Sequence, residues 1–74
     1  MPKYMWNNQD ITLDILMKIE QVVRILSEKL KKPFYEELSL FYKSRTFQAL
    51  KNTQSEMWAE SAEFIVNEYE REIV

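Results

Sequence analysis

The stretch ITLDILMKIEQVVRILSEKLK, Ile11 to Lys31, decides how this chain folds. At about 100° per residue its apolar positions Ile11, Ile15, Leu16, Ile19, Val22, Val23, Leu26 and Leu30 fall on one arc of about 140°, the stripe of a helix that faces a core. Glu20, Arg24, Glu28 and Lys31 occupy the reverse face, where Glu20 and Arg24, and Arg24 and Glu28, stand one turn apart at pairing distance. Asn7, Asn8 and Asp10 precede the stripe as candidate N-caps. Pro33 ends it, because the residue before a proline is pushed out of helical geometry. Leu13 and Met17 break the pattern. They sit one turn apart on the polar side and need a cover: the N-terminal residues, the last helix or a second copy of the chain.

Working outward, the segment from Phe34 to Trp58 holds Phe34, Tyr35, Phe41, Tyr42, Phe47 and Trp58, more than half of the aromatic residues. Large rings bring more buried area per residue than aliphatics, so a core or a binding surface is expected here. A second helix is predicted over about 33–43, with Phe34, Leu38, Phe41 and Tyr42 inward, Glu36, Glu37 and Lys43 outward and Leu40 directed elsewhere. Ser44 caps a third, Arg45 to Lys51, that places Phe47 and Leu50 on one side. Asn52 to Ser55 reads as a polar loop, with Met57 and Trp58 following as anchors in a single turn. Ser61 then caps a fourth helix, Ala62 to Glu72, with Ala62, Ile65, Val66 and Tyr69 inward and Glu63, Glu70 and Arg71 outward. The residues Pro2 to Trp6 read as an arm lying on the domain or on a neighbour. The predicted architecture is an all-α single domain, residues 1–74. In this bundle of about four helices, an arm at 1–9 and a long N-terminal helix at 10–32 pack with shorter helices over 33–74.

Composition narrows the function classes. Seventy-four residues, 46% hydrophobic and 30% charged, make one folded domain. The sequence contains no glycine, cysteine or histidine. The first absence argues against a hairpin fold, a P-loop and a dinucleotide-binding turn; the others remove disulfides, thiolate sites and the usual zinc and general-base residues. No cofactor is expected. The longest apolar runs are three residues, far short of a membrane span. The start lacks an export-type apolar run, so a cytoplasmic location is expected. The net charge of −2 is uneven, with a basic middle, Arg24 to Lys51, and six glutamates against Arg71 in the last third.

Three chemistries compete for the polar and exposed residues. Glu60 and Glu63, or Glu68, Glu70 and Glu72, could act as paired acids only if buried in a pocket, and on a charge-rich terminal helix they read as a solvated face, so no enzyme is expected. Nucleic-acid binding is the alternative, with Arg45, Gln48, Lys51 and Asn52 pointing out of a helix-turn-helix-like corner. Protein contact is the favoured reading. Its expected surface is Leu13 and Met17 with Tyr4 and Trp6 of the arm, together with exposed edges of Tyr35, Tyr42 and Trp58, and a homo-oligomer is expected from it.

The residues Phe41, Tyr42, Ser44, Thr46, Phe47 and Leu50, then Trp58, Ser61, Phe64, Ile65 and Tyr69, resemble the C-terminal half of a group of small uncharacterised bacterial helical proteins. That pattern is Phe-Tyr-x-Ser-x-Thr-aromatic-x-x-Leu, a short turn, then an aromatic, Ser and an aromatic-Ile helix start. It spans about half the chain, and departs from the group at Asn52 to Ser55, where neither Gly nor Asp occurs. The resemblance implies a partner role in small operons that can include ADP-ribosyltransferase-like toxins, as an antitoxin, adaptor or regulator binding a toxin or another neighbouring-operon product.

Overall fold

A computed structural model describes residues 3–73. A two-stranded antiparallel hairpin, β1 Met5–Trp6 and β2 Gln9–Asp10, leads into α1, Thr12–Leu30. Helices α2, Phe34–Tyr42, and α3, Arg45–Lys51, follow. Two 3-10 turns, Thr53–Ser55 and Met57–Ala59, then deliver the chain to α4, Ala62–Ile73. The all-helical bundle with one long helix on shorter ones is the architecture the sequence predicts. The first two residues of the expected arm lie outside the described residues.

The hairpin departs from expectation. A two-residue hairpin turn needs φ > 0 at one or both central positions, which glycine adopts most freely, and the absence of glycine argues against it. Here Asn7 and Asn8 take φ of 49° and 64°. Asparagine tolerates this region because its short amide side chain can bond locally. These two residues therefore make a turn and do not cap α1. Asp10 does reach the helix, accepting the Thr12 N–H at 3.0 Å through its side chain. Those bonds from Thr12 hold the Asp10 carboxyl below its ordinary pKa. Thr12 Oγ1 in turn accepts the Tyr4 N–H at 2.8 Å, fastening the hairpin to the first turn of α1.

Helix α1 buries Ile15, Ile19, Val22, Val23 and Leu26, with Ile11 just ahead of it; only Leu30 of the predicted stripe reaches the surface. It ends before Pro33, at Lys31, which takes φ 55° in a left-handed C-cap. The Lys32 N–H then bonds back to the Ser27 carbonyl at 3.2 Å. Lys18 Nζ donates to the Glu60 carbonyl at 2.7 Å and Lys29 Nζ to Glu70 at 2.9 Å, so α1 and α4 run side by side in one direction. The core between them is completed by Phe41, Phe47, Leu50, Ile65, Val66 and Tyr69. Phe41 is its hub, with ring centroids 5.8 Å from Phe47 and 5.5 Å from Tyr69.

That hub explains a correction in α2. The predicted inner face was Phe34, Leu38, Phe41 and Tyr42, with Glu37 outside. In the structure Glu37 is 1% exposed, whereas Phe34 is 38% exposed and Tyr42 stands at the surface. Helix α2 is rolled by about 60° from its apolar moment, because Phe41 must meet Phe47 and Tyr69 together and a short rigid helix cannot turn its remaining residues independently. The Glu37 carboxylate is thereby carried inside, and its Oε2 has no hydrogen-bond partner among the described residues.

Helices α3 and α4 begin where their serines predict. Ser44 Oγ accepts the Phe47 N–H at 3.0 Å and Ser61 Oγ the Phe64 N–H at 3.1 Å. The inward residues of α4 are Ala62, Ile65, Val66 and Tyr69, as expected. Its outward glutamates are not all free in solvent, however. Glu72 lies over the start of α3, accepting the Arg45 N–H at 2.7 Å and the Thr46 N–H at 2.8 Å.

Candidate protein-contact surface

Trp58 is the most firmly held of the predicted contact residues. Asn52 Oδ1 accepts the Gln54 N–H at 3.2 Å, and Ser55 Oγ donates to the Ala49 carbonyl at 2.7 Å, so the polar stretch after α3 closes into a turn. Glu56, at φ 58°, reverses the chain into the second turn. Trp58 Nε1 then donates to the Thr53 carbonyl at 3.2 Å. From the other side, Trp6 meets its ring edge-on, with centroids 5.5 Å apart, and Thr53 Oγ1 donates to the Met5 carbonyl at 2.6 Å. The indole is locked between the hairpin and its own turn.

Beside it, Asp14, Met17, Lys18, Gln21 and Trp58 line a groove of about 180 Å³ along α1. Lys18 and Gln21 also belong to a neighbouring trough of about 410 Å³, which Ile25, Ala62 and Glu63 help to line. Met17 is 52% exposed and Leu13 68% exposed. The hairpin packs Tyr4 and Trp6 against the core, as an arm lying on the domain should, but it leaves Leu13 and Met17 uncovered. The structure therefore brings together Trp6, Trp58 and Met17, with Leu13 one turn along the same helix.

Tyr35 and Tyr42 form a separate surface. Tyr35 is 76% exposed on the outer side of α2, and Tyr42 lies edge-on against Phe47 with centroids 4.8 Å apart. Among the described residues no ring contact joins either tyrosine to Trp58. The rings predicted as one patch thus divide between two faces, one built on α1 and one on α2.

Arg45, Gln48, Lys51 and Asn52, the nucleic-acid candidates, are all exposed. Arg45 has its guanidinium 3.9 Å from Glu72, Lys51 Nζ rests 5.7 Å above the Phe47 ring, and the Asn52 side chain serves its own turn. Arg45, Arg71, Glu68 and Glu72 share an open groove of about 410 Å³ with Thr46, Ala49 and Met57. Arg71 pairs with Glu68 at 3.1 Å.

Glu72 and Glu37 are the residues whose roles sequence reasoning missed. Burial opposes ionisation of Glu72. The Arg45 amide, the hydroxyl and amide of Thr46 and the Arg45 charge outweigh that penalty and hold its carboxyl below the ordinary value. One signal was available: the Ser44 cap serves the Phe47 amide, so the amides of Arg45 and Thr46 in the first turn needed an acceptor from elsewhere. Tyr69 shows the opposite shift. Burial, then the nearby Glu37 and Glu72 carboxylates, push its phenol above the ordinary value.

Among the described residues no three His, Cys, Asp or Glu side chains are placed to hold a metal ion, and no helix is long and apolar enough to cross a membrane. Comparison with protein-family models, with curated proteins and with solved structures gives no match.

Proposed function

We propose that this chain is a non-enzymatic protein-protein interaction module, antitoxin- or adaptor-like as its resemblance implies, that receives a partner protein on the α1 face. One observation carries the reading: Met17 and a doubly anchored Trp58 line a groove that the chain leaves open, with Leu13 exposed beside it. A fixed aromatic beside a flexible thioether suits a partner's apolar side chain, since the indole loses little freedom on binding and methionine adapts its shape. Asp14 and Lys18 at the rim supply charges of both signs for orientation.

Of the carboxylates that an enzyme reading would use, Glu60 and Glu63 stand exposed and the other three are committed within the fold. Glu68 pairs with Arg71, Glu70 with Lys29, and Glu72 caps α3. A helix-turn-helix-like role for Arg45, Gln48, Lys51 and Asn52 gains no support from a helix whose first amides already hold a carboxylate.

The test is affinity capture from the native host with the wild-type chain and with a Leu13→Glu, Met17→Glu variant. The captured protein is then titrated against each while tryptophan emission is followed. Binding that shifts the emission and is lost in the variant is expected. Binding of equal strength to the folded variant would remove the α1 face from consideration.

A further inference from the structure

The outer side of α2 carries a pattern that the α1 face does not use. At about 100° per residue, Ser39 stands at the centre of this side, opposite the buried Glu37 and Phe41. Tyr35 and Tyr42 flank it on one edge; Glu36 and Lys43 flank it on the other, Lys43 being the residue just past the end of the helix. All five residues are exposed. Neither Glu36 nor Lys43 is among the ion pairs of the described residues, so both charges are available to a partner.

From this arrangement we infer that α2 pairs with α2 of a second copy of the chain, antiparallel, about a two-fold axis beside Ser39. The spacing supplies the argument. Glu36 and Lys43 are seven positions apart, two turns, so both lie on one edge with the acid at the start and the base at the end. A two-fold axis perpendicular to the helix brings each Glu36 beside the Lys43 of the other copy, making the same pair twice, and sets each Tyr35 near the other copy's Tyr42 on the opposite edge. A parallel pairing, about an axis along the helix, exchanges the two edges and would set Glu36 against Tyr35 and Lys43 against Tyr42 of the other copy, leaving both charges without a partner. Ser39, small and central, lets the two backbones approach. The tyrosines supply rigid amphipathic area at little entropic cost.

The roll of α2 fits this pairing. Rotation of the helix carries Glu37 into the core and Tyr42 out to the surface, and a second copy covers the ring so displaced. A helix of nine residues is about 13 Å long, which confines the contact to the small end of specific interfaces, so the dimer forms at high micromolar concentration. The inference shares the interaction-module reading but assigns a different face and a different occupant.

Sedimentation equilibrium from about ten micromolar to about one millimolar tests it. The wild-type chain should associate to a dimer in that range. Glu36→Lys and Lys43→Glu, each alone, should weaken association by about 10- to 30-fold, because each exchanges two attractive surface pairs for two repulsive ones. A one-to-one mixture of the two variants should dimerise again, since one chain then carries a base at both positions and the other an acid at both. The Glu36→Lys, Lys43→Glu double variant should recover wild-type association. Circular dichroism keeps folding in view throughout. A wild-type monomer across the range, single variants that associate as the wild type does, or a mixture that stays monomeric would each overturn the pairing. Loss of the dimer in the Leu13→Glu, Met17→Glu variant would move it to the α1 face, overturning this inference while leaving that surface in place.

Discussion

The Glu72 carboxylate accepts the backbone N–H of Thr46, 26 positions earlier in the chain, at 2.8 Å, and the same residue's hydroxyl at 2.7 Å. With the Arg45 N–H on its other oxygen, it satisfies amides at the start of α3 that no residue of that helix can reach. A helix of seven residues has little stability of its own, so its ends matter more than its interior. Glu72→Ala is expected to cost about 2 kcal/mol and Glu72→Gln, which keeps an oxygen but loses the charge, about 1 kcal/mol. For a domain of this size each kcal/mol lowers the midpoint by roughly 4–8 °C, measurable by circular dichroism. Glu70→Gln, removing the exposed pair with Lys29, should shift the midpoint much less.

The same carboxylate gives the fold an acid dependence of known sign. The Glu72 pKa is lower folded than unfolded, so its contribution is present above the ordinary glutamate range and is lost as pH falls through the depressed value. Tyr69 acts at the other extreme. Its raised pKa means that a contribution present below the ordinary tyrosine value fades as pH rises through the folded one. Urea midpoints measured from pH 3 to pH 7 should fall on the acid side, and the fall should be shallower in Glu72→Gln. An unchanged acid limb in that variant would contradict the assignment.

Glu37 is the reverse case, a charge-bearing side chain whose removal should help. Its Oε2 is buried without a partner, and a buried polar group left unpaired costs about 1–3 kcal/mol. Glu37→Met keeps the length of the side chain and removes the unpaired oxygen. The variant should be more stable by about 1 kcal/mol or more, read as a raised thermal midpoint. A lowered midpoint would mean that the carboxylate is satisfied in solution.

The hairpin offers a local test. Asn8 holds φ 64°, a region that costs a β-branched residue about 1–2 kcal/mol. Asn8→Val should loosen the turn, separate Trp6 from Trp58 and weaken the near-ultraviolet dichroism of that pair. Asn8→Gly should preserve it. The far-ultraviolet spectrum should change little in either, because the helices do not depend on the turn.

Much of this architecture could be read from periodicity and caps. The stripe of α1, the serines before α3 and α4, and the proline after α1 act within one or two turns, where sequence spacing and spatial spacing coincide. Glu37 and Glu72 were misplaced because their environments are set by residues far along the chain. Local apolar moment put Glu37 outside, but Phe41 answers to Phe47 and Tyr69 and takes the helix with it. Glu72 looked like one acid in a solvated row, and only the packing of α4 reveals the amides beneath it. The contact residues divided in the same way. Met17 and Trp58 could be named as apolar residues needing a use, but their sharing a groove depends on two turns whose bonds run to Ala49 and Met5.

The cap on α3 also sets an order of events during synthesis. As the chain is made from its N-terminal end, the hairpin and α1 emerge first, then α2 and α3, and the acceptor for the Arg45 and Thr46 amides comes only with the last turn of α4. Until then α3 begins with unsatisfied donors, and Phe41 lacks the Tyr69 ring that closes over it. Such a chain gains its cooperativity late. The aromatic middle therefore closes over its rings only once residue 72 has emerged.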